Sequence, residues 1–156
     1  IMIPMVGNAK EAKAVVECMK YYPMGKRGVA LGVAHDNYSG GSVPEKLAGA
    51  NERTTLFCQI ETAEGAENAD AIAAVDGVDV LWVGHFDLSV SLGIPGEFDN
   101  PKFLKAIDQT IAATKKHKKS LGRLVPIIAD EHGYEAERHR LELYGTCRDC
   151  RRRAFG

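Results

Sequence analysis

The stretch TLFCQIETAEGAENADAIAAVDGVDVLWVGHFDLS, residues 55–89, decides how the chain folds. Thr55 to Ile60 reads as a buried strand, and Val78 to Val83 as a second one, with Asp79 the chief polar interruption. Between them, the alanine-rich run from about Ala63 to Ala74 has the composition of a helix. A strand, a helix and another strand, with both strand faces apolar, form the repeating unit of a parallel sheet with helical crossovers.

The same alternation extends in both directions. Ile1 to Val6 is a short apolar run ending at Gly7, and Asn8 then starts a helix with Glu11 three residues on, which resembles a capping box. Ala12, Val15, Val16 and Met19 supply the apolar face of that helix. Gly28 to Val33 reads as a strand, followed by a loop rich in Gly, Ser and Asn through Gly41 and a short helix from about Pro44 to Arg53. Downstream, Asn100-Pro101 opens a long helix with Phe103, Leu104, Ile107 and Ile111 on one face, ending in the solvated run Lys115 to Lys119. Leu121 to Ile128 is expected to be the last strand. The expectation is thus an α/β chain of about five parallel strands with crossover helices. A closed eight-stranded barrel takes about 250 residues and an open doubly wound sheet takes fewer, so periodicity alone allows either.

Composition narrows the function classes. The 156 residues carry a formal net charge of −1, with 45% hydrophobic and 26% charged residues, as in an ordinary globular domain. No nucleic-acid or membrane partner is expected from that balance, and no apolar run reaches the roughly 18 residues of a membrane span. A cytoplasmic location is the expectation. Cys18 and Cys58 fall in a helical and a strand pattern, and both are expected to be buried reduced thiols.

In a parallel sheet, chemistry gathers where strands end. Glu61 directly follows Cys58-Gln59-Ile60, and Asp87 follows the strand that ends near Val83-Gly84. One strand–helix–strand unit separates them, which puts both acids at the same rim on strands about 5 Å apart. Two carboxylates there can share a hard cation such as Mg²⁺ or Mn²⁺ and leave positions open for a chelating 2-oxo acid. Alternatively, both acids simply cap the helices that follow them.

Several motifs in order carry a family resemblance: Ile3-Pro4-Met5-Val6, Tyr22-Pro23-Met24-Gly25-Lys26-Arg27-Gly28-Val29, Gln59-Ile60-Glu61-Thr62, Gly84-His85-Phe86-Asp87-Leu88-Ser89 and Leu92-Gly93-Ile94-Pro95-Gly96. Over residues 1 to about 128 the chain resembles the HpcH/HpaI aldolases, the metal-dependent pyruvate aldolases of the hydroxyketoacid type. The resemblance implies a β/α barrel that binds Mg²⁺ or Mn²⁺ through Glu61 and Asp87. It also implies substrate contacts from Gln59 and Asp87 and from the backbone at Gly84 and Phe86. The implied reaction cleaves a 4-hydroxy-2-oxo acid to pyruvate and an aldehyde through a metal-stabilised pyruvate enolate. Such enzymes act on small molecules, and the family suggests a homo-oligomer.

The sequence departs from the family pattern at Phe86, where a small residue is usual, and at His85, where Pro is frequent. The family's catalytic His and its substrate-binding Arg belong to earlier strands. By this resemblance residues 1–129 correspond to the C-terminal part of a partial TIM barrel, with about three strands of eight lacking. Residues 130–156 read as an atypical polar and basic tail, as from a truncation or a shifted reading frame. On that reading the isolated chain binds metal weakly and shows no meaningful turnover.

His85 is the candidate proton carrier beside the acids, although a pocket-lining role is the plainer reading. Arg27 is expected to form an outward ion pair. Cys147 and Cys150, with His132 and His139 upstream, form a weak zinc pattern, and the six arginines from Arg138 to Arg153 lack the interleaved aromatics of a single-strand binder. Two competing functions are a CoA-thioester lyase of the citrate-lyase β type and a non-catalytic fragment that packs with partner subunits.

Overall fold

A computed structural model of the chain describes residues 1–122. Four parallel strands are present among them: β1 (Met2–Ile3), β2 (Phe57–Ile60), β3 (Val80–Val83) and β4 (Ser120–Gly122). Their spatial order is β1-β2-β3-β4, each strand beside its sequence neighbour. A doubly wound sheet reverses its order at a switch point, whereas a barrel adds strands in one direction. The four strands follow the barrel pattern.

Helices α1 (Ala9–Met19), α2 (Val43–Arg53), α3 (Ala63–Glu67), α4 (Ala69–Ala73), α5 (His85–Ser91) and α6 (Pro101–Lys116) make the connections. Asn8 caps α1 as the sequence suggests. Its side-chain oxygen accepts from the Glu11 N–H at 3.1 Å, and the Glu11 carboxylate accepts in turn from the Gly7 N–H at 2.8 Å. The single helix expected over 63–74 is instead two, divided at Asn68, whose side chain donates to the Gly7 carbonyl at 2.9 Å. That bond ties the break to Gly7, the residue just before the Asn8 cap of α1.

Cys58 and Ile60 of β2 and Leu81 and Val83 of β3 pack with Ala12, Val16, Ala66, Ile72, Phe103 and Ala106 in one core. Phe57 and Gln59 alternate with Cys58 and Ile60 along β2, so they lie on the opposite face of the sheet. Trp82 shares that face, paired in register with Gln59, and its ring lies 6.4 Å from that of Phe57. This second face is only half-buried.

Among the described residues, the strand expected over Gly28 to Val33 does not form: the run lies in no ladder, and β2 sits directly beside β1, with Met2 opposite Phe57. The run is largely exposed instead, and the chain before it folds onto the end of α1, with the Arg27 N–H donating to the Lys20 carbonyl at 3.0 Å. The β1 ladder also stops at Ile3, short of Val6, and Met5 adopts a left-handed backbone at φ 57°. Of the expected strand 121–128, only its beginning falls within the described residues. The tail, with its cysteine pair, histidines and arginines, lies outside them.

The far ends of α1 and α2 are clasped together. The Asn51 side chain accepts from the Tyr21 N–H at 2.7 Å and donates to the Tyr21 carbonyl at 3.0 Å, and buried Lys20 donates to the Asn51 carbonyl at 2.6 Å. Among the described residues Arg27 forms no ion pair; its guanidinium lies 4.6 Å over the Tyr21 ring, and Lys26 takes the ion pair, with Glu17. Cys58 is buried, and burial pushes its thiol up to about 11. Cys18 is exposed, contrary to expectation, because it lies off the Ala12–Val16–Met19 stripe. No helix of the described residues is long and apolar enough to cross a membrane.

Candidate metal and substrate site

Register builds the candidate site. Gln59 and Glu61, two residues apart, point to the half-buried face of the sheet. Ile60 is paired with Val83, so Glu61 comes level with Gly84 on the neighbouring strand. A methyl group on Gly84 would lie 2.4 Å from Glu61 Oε2, 2.7 Å from Glu61 Cβ and 2.9 Å from Gln59 Nε2. Three of the residues singled out from sequence therefore meet here, and only a glycine leaves them room.

Glu61 is 4% exposed. Its Oε1 accepts from the Met5 N–H at 2.8 Å, a bond made available by the left-handed turn of Met5. Among the described residues, none donates a hydrogen bond to Oε2 and no Lys or Arg pairs with this carboxylate. A buried carboxylate with one backbone donor and no positive partner is costly, and a hard cation at its second oxygen would offset that cost.

Asp87 stands in the first turn of α5, immediately beyond β3, and is exposed. An acid in that turn also favours the helix dipole, so the capping role considered from sequence is compatible with this position. Among the described residues no three His, Cys, Asp or Glu side chains converge on one point. An ion held here would thus take at most two such ligands from these residues.

His85 and Phe86 begin α5 directly after Gly84, and their rings are in contact at 4.2 Å between centroids. Phe98 touches both, at 5.1 and 5.3 Å, and Phe103 touches Phe98 at 5.4 Å. Sequence reasoning missed this ring cluster. The spacing of Phe86, Phe98 and Phe103 around a Gly-Ile-Pro-Gly turn was its only signal. The Met5 donor was missed as well, since nothing in a Pro-Met-Val sequence announces a left-handed methionine.

The sequence profile of the family described as HpcH/HpaI aldolase/citrate lyase matches residues 1–146. The chain belongs to this family. Among curated relatives, the 5-keto-4-deoxy-D-glucarate aldolases of Citrobacter koseri and Klebsiella pneumoniae are 40% and 38% identical over 133 residues, 85% of this chain and 51% of each relative. The chain spans about half the length of the curated relatives it matches. Among solved structures, an HpcH/HpaI aldolase from Desulfitobacterium hafniense superposes with a TM-score of 0.75 at 29% identity, covering 85% of this chain and 53% of that one. The citrate synthase SbnG superposes with a TM-score of 0.71 at 27% identity, covering 85% and 51%. The parallel α/β fold is therefore the one shared by HpcH/HpaI aldolases, and the named curated relatives are lyases.

Proposed function

We propose that this HpcH/HpaI member supplies the carboxylate half of a divalent-metal site in an aldolase that cleaves 4-hydroxy-2-oxo acids to pyruvate and an aldehyde. The observation that carries the reading is Glu61: a nearly buried carboxylate, fixed by Met5, with one oxygen turned to the rim at Gly84 and, among the described residues, no cationic side chain paired with it. The names of the 38–40% identical relatives support an aldolase over a CoA-thioester lyase.

In this reading Glu61 and Asp87 hold Mg²⁺ or Mn²⁺. When bound, such an ion supplies positive charge beside a developing oxyanion and lowers the barrier to its formation. Gln59, whose amide nitrogen reaches the Gly84 position, is suited to donate to a carboxylate oxygen of the 2-oxo acid. Gly84 keeps the rim open for that molecule. His85 is the described residue at this rim whose imidazole can carry a proton near neutral pH.

The test is calorimetric titration of the chain with Mn²⁺ and Mg²⁺, repeated for Glu61→Gln and Asp87→Asn. Each substitution removes one of two charged ligands, so each should weaken binding at least tenfold. Equal affinity in all three proteins would end this assignment.

A further inference from the structure

The ring cluster lies at the same end of the sheet as the acids. Helix α6 descends to β4, whose first residue, Ser120, pairs with Val80 at the beginning of β3. The opening residues of α6 therefore lie at the opposite end, where β2 and β3 finish, and Phe103 is the third of them. Phe103 is rooted in the core at 7% exposed, and from it the contacts run through Phe98 to Phe86 and His85. Phe86 itself is 61% exposed, as is Val90 one turn further along the same face of α5. An apolar strip thus leads out of the core and ends at Phe86, two residues from Gly84.

We infer that His85, Phe86 and Phe98 form the wall against which the aldehyde partner lies, and that this partner carries an aromatic ring. The chemistry rests on the aldolase reading above; the binding surface stands on the rings themselves. Aromatic groups gain from edge and offset contacts with such a wall, whereas a polyhydroxylated chain would give up water hydrogen bonds against the Phe86 and Phe98 rings and receive none from them in return. In the addition direction, the methyl carbon of pyruvate yields a proton to a base and bonds to the aldehyde carbonyl carbon, whose oxygen takes up a proton. Cleavage is the reverse, and neither direction oxidises or reduces anything.

The test is an amide-resolved NMR titration of the chain with benzyl alcohol and with glycerol, unreactive stand-ins for an aromatic and a hydroxylated aldehyde. Benzyl alcohol should move the signals of residues 84–90 and 97–103, and glycerol should leave them in place. Phe86→Ala, an exposed position whose loss the fold tolerates, should weaken benzyl alcohol about fivefold, and Phe86→Tyr should restore it. Equal effects of the two alcohols, indifference to Phe86→Ala, or signals that shift on dilution because copies of the chain pair through this strip would each overturn the inference. Pyruvate with Mg²⁺ in a parallel sample separates the two readings. If pyruvate moves Gln59 and Glu61 while benzyl alcohol moves nothing, the aromatic wall falls alone. If benzyl alcohol binds and pyruvate with Mg²⁺ does not, the aldolase reading falls while aromatic recognition stands.

Discussion

Gly84→Ala is the substitution on which the geometry of the rim depends most directly. Gly84 sits at φ −88° and ψ 85°, a backbone that alanine adopts without strain, so any penalty comes from the added methyl group alone. That methyl would meet Glu61 Oε2 at 2.4 Å and Glu61 Cβ at 2.7 Å, far inside the 3.5–4.0 Å of an ordinary carbon contact. The carboxylate end can rotate away, but the Cβ is fixed to the strand. Overpacking of this kind costs about 1–3 kcal/mol, and alanine returns roughly 0.4–1 kcal/mol by restricting the unfolded chain. If Glu61 turns aside it also loses its 2.8 Å bond to Met5, and hydrogen bonds to charged groups are worth about 1.5–3 kcal/mol. A net loss of about 2 kcal/mol would lower a urea midpoint by roughly 1 M at an m-value of about 2 kcal/mol/M. The assay is urea unfolding followed by circular dichroism, with Gly28→Ala as the control, since no atom of the described residues lies within 4 Å of a methyl group placed there. An unchanged midpoint for Gly84→Ala, together with unchanged Mn²⁺ affinity, would refute the claim that this glycine is demanded by Glu61 and Gln59.

Gln59→Ala should weaken pyruvate binding while leaving Mn²⁺ affinity within a few-fold, as calorimetry with and without pyruvate will tell; a collapse of metal binding would place Gln59 among the ligands. Asn51→Leu strands the Tyr21 N–H, while the Tyr21 carbonyl keeps the Met24 and Gly25 N–H donors; it should destabilise the chain by about 1–3 kcal/mol in urea unfolding, and a loss under about 0.5 kcal/mol would mean that water replaces the clasp. The Lys46 ammonium, aided by the N–H groups of Gly32 and Val33, holds the Asp36 carboxyl at about 2 against an ordinary 3.8. A carboxyl lowered on folding stabilises above its unfolded value and loses that contribution as pH falls from about 3.8 towards about 2. The gap in urea midpoint between the native chain and Asp36→Asn should therefore be full at pH 6 and shrink by pH 2.5; a constant gap would contradict this.

The parts legible in the sequence were those set by local chemistry. Asn8 with Glu11 announced the start of α1, and Asn100-Pro101 the start of α6, because capping depends on a few neighbouring atoms. Strands β2 and β3, and the place of Glu61 at the end of β2, followed from apolar runs that end in polar residues, whereas Gly84 entered only through the family motif. The Gly28–Val33 run failed because its apolar residues resemble a strand, yet it stays largely exposed and β2 follows directly beside β1 in the sheet, a placement invisible to any local window. The helix over 63–74 divided for a similar reason: Asn68 answers to Gly7, 61 residues away in sequence. Within the site, residue types could be read but not the Met5 donor or the ring contacts, which arise only from tertiary placement.

Trp82 is the chain's single tryptophan, and it stands on the half-buried face of the sheet, in register with Gln59 and two residues before Gly84. The protein thus contains its own optical reporter. Excitation at the red edge of the aromatic band selects this indole over the tyrosines, and its emission responds to polarity and nearby charge on the face that carries the candidate ligands. Titrations of metal, 2-oxo acid or aromatic alcohol can be followed in unlabelled native protein. A ligand that docks at the Tyr21–Asn51 end, by contrast, should leave that emission unchanged.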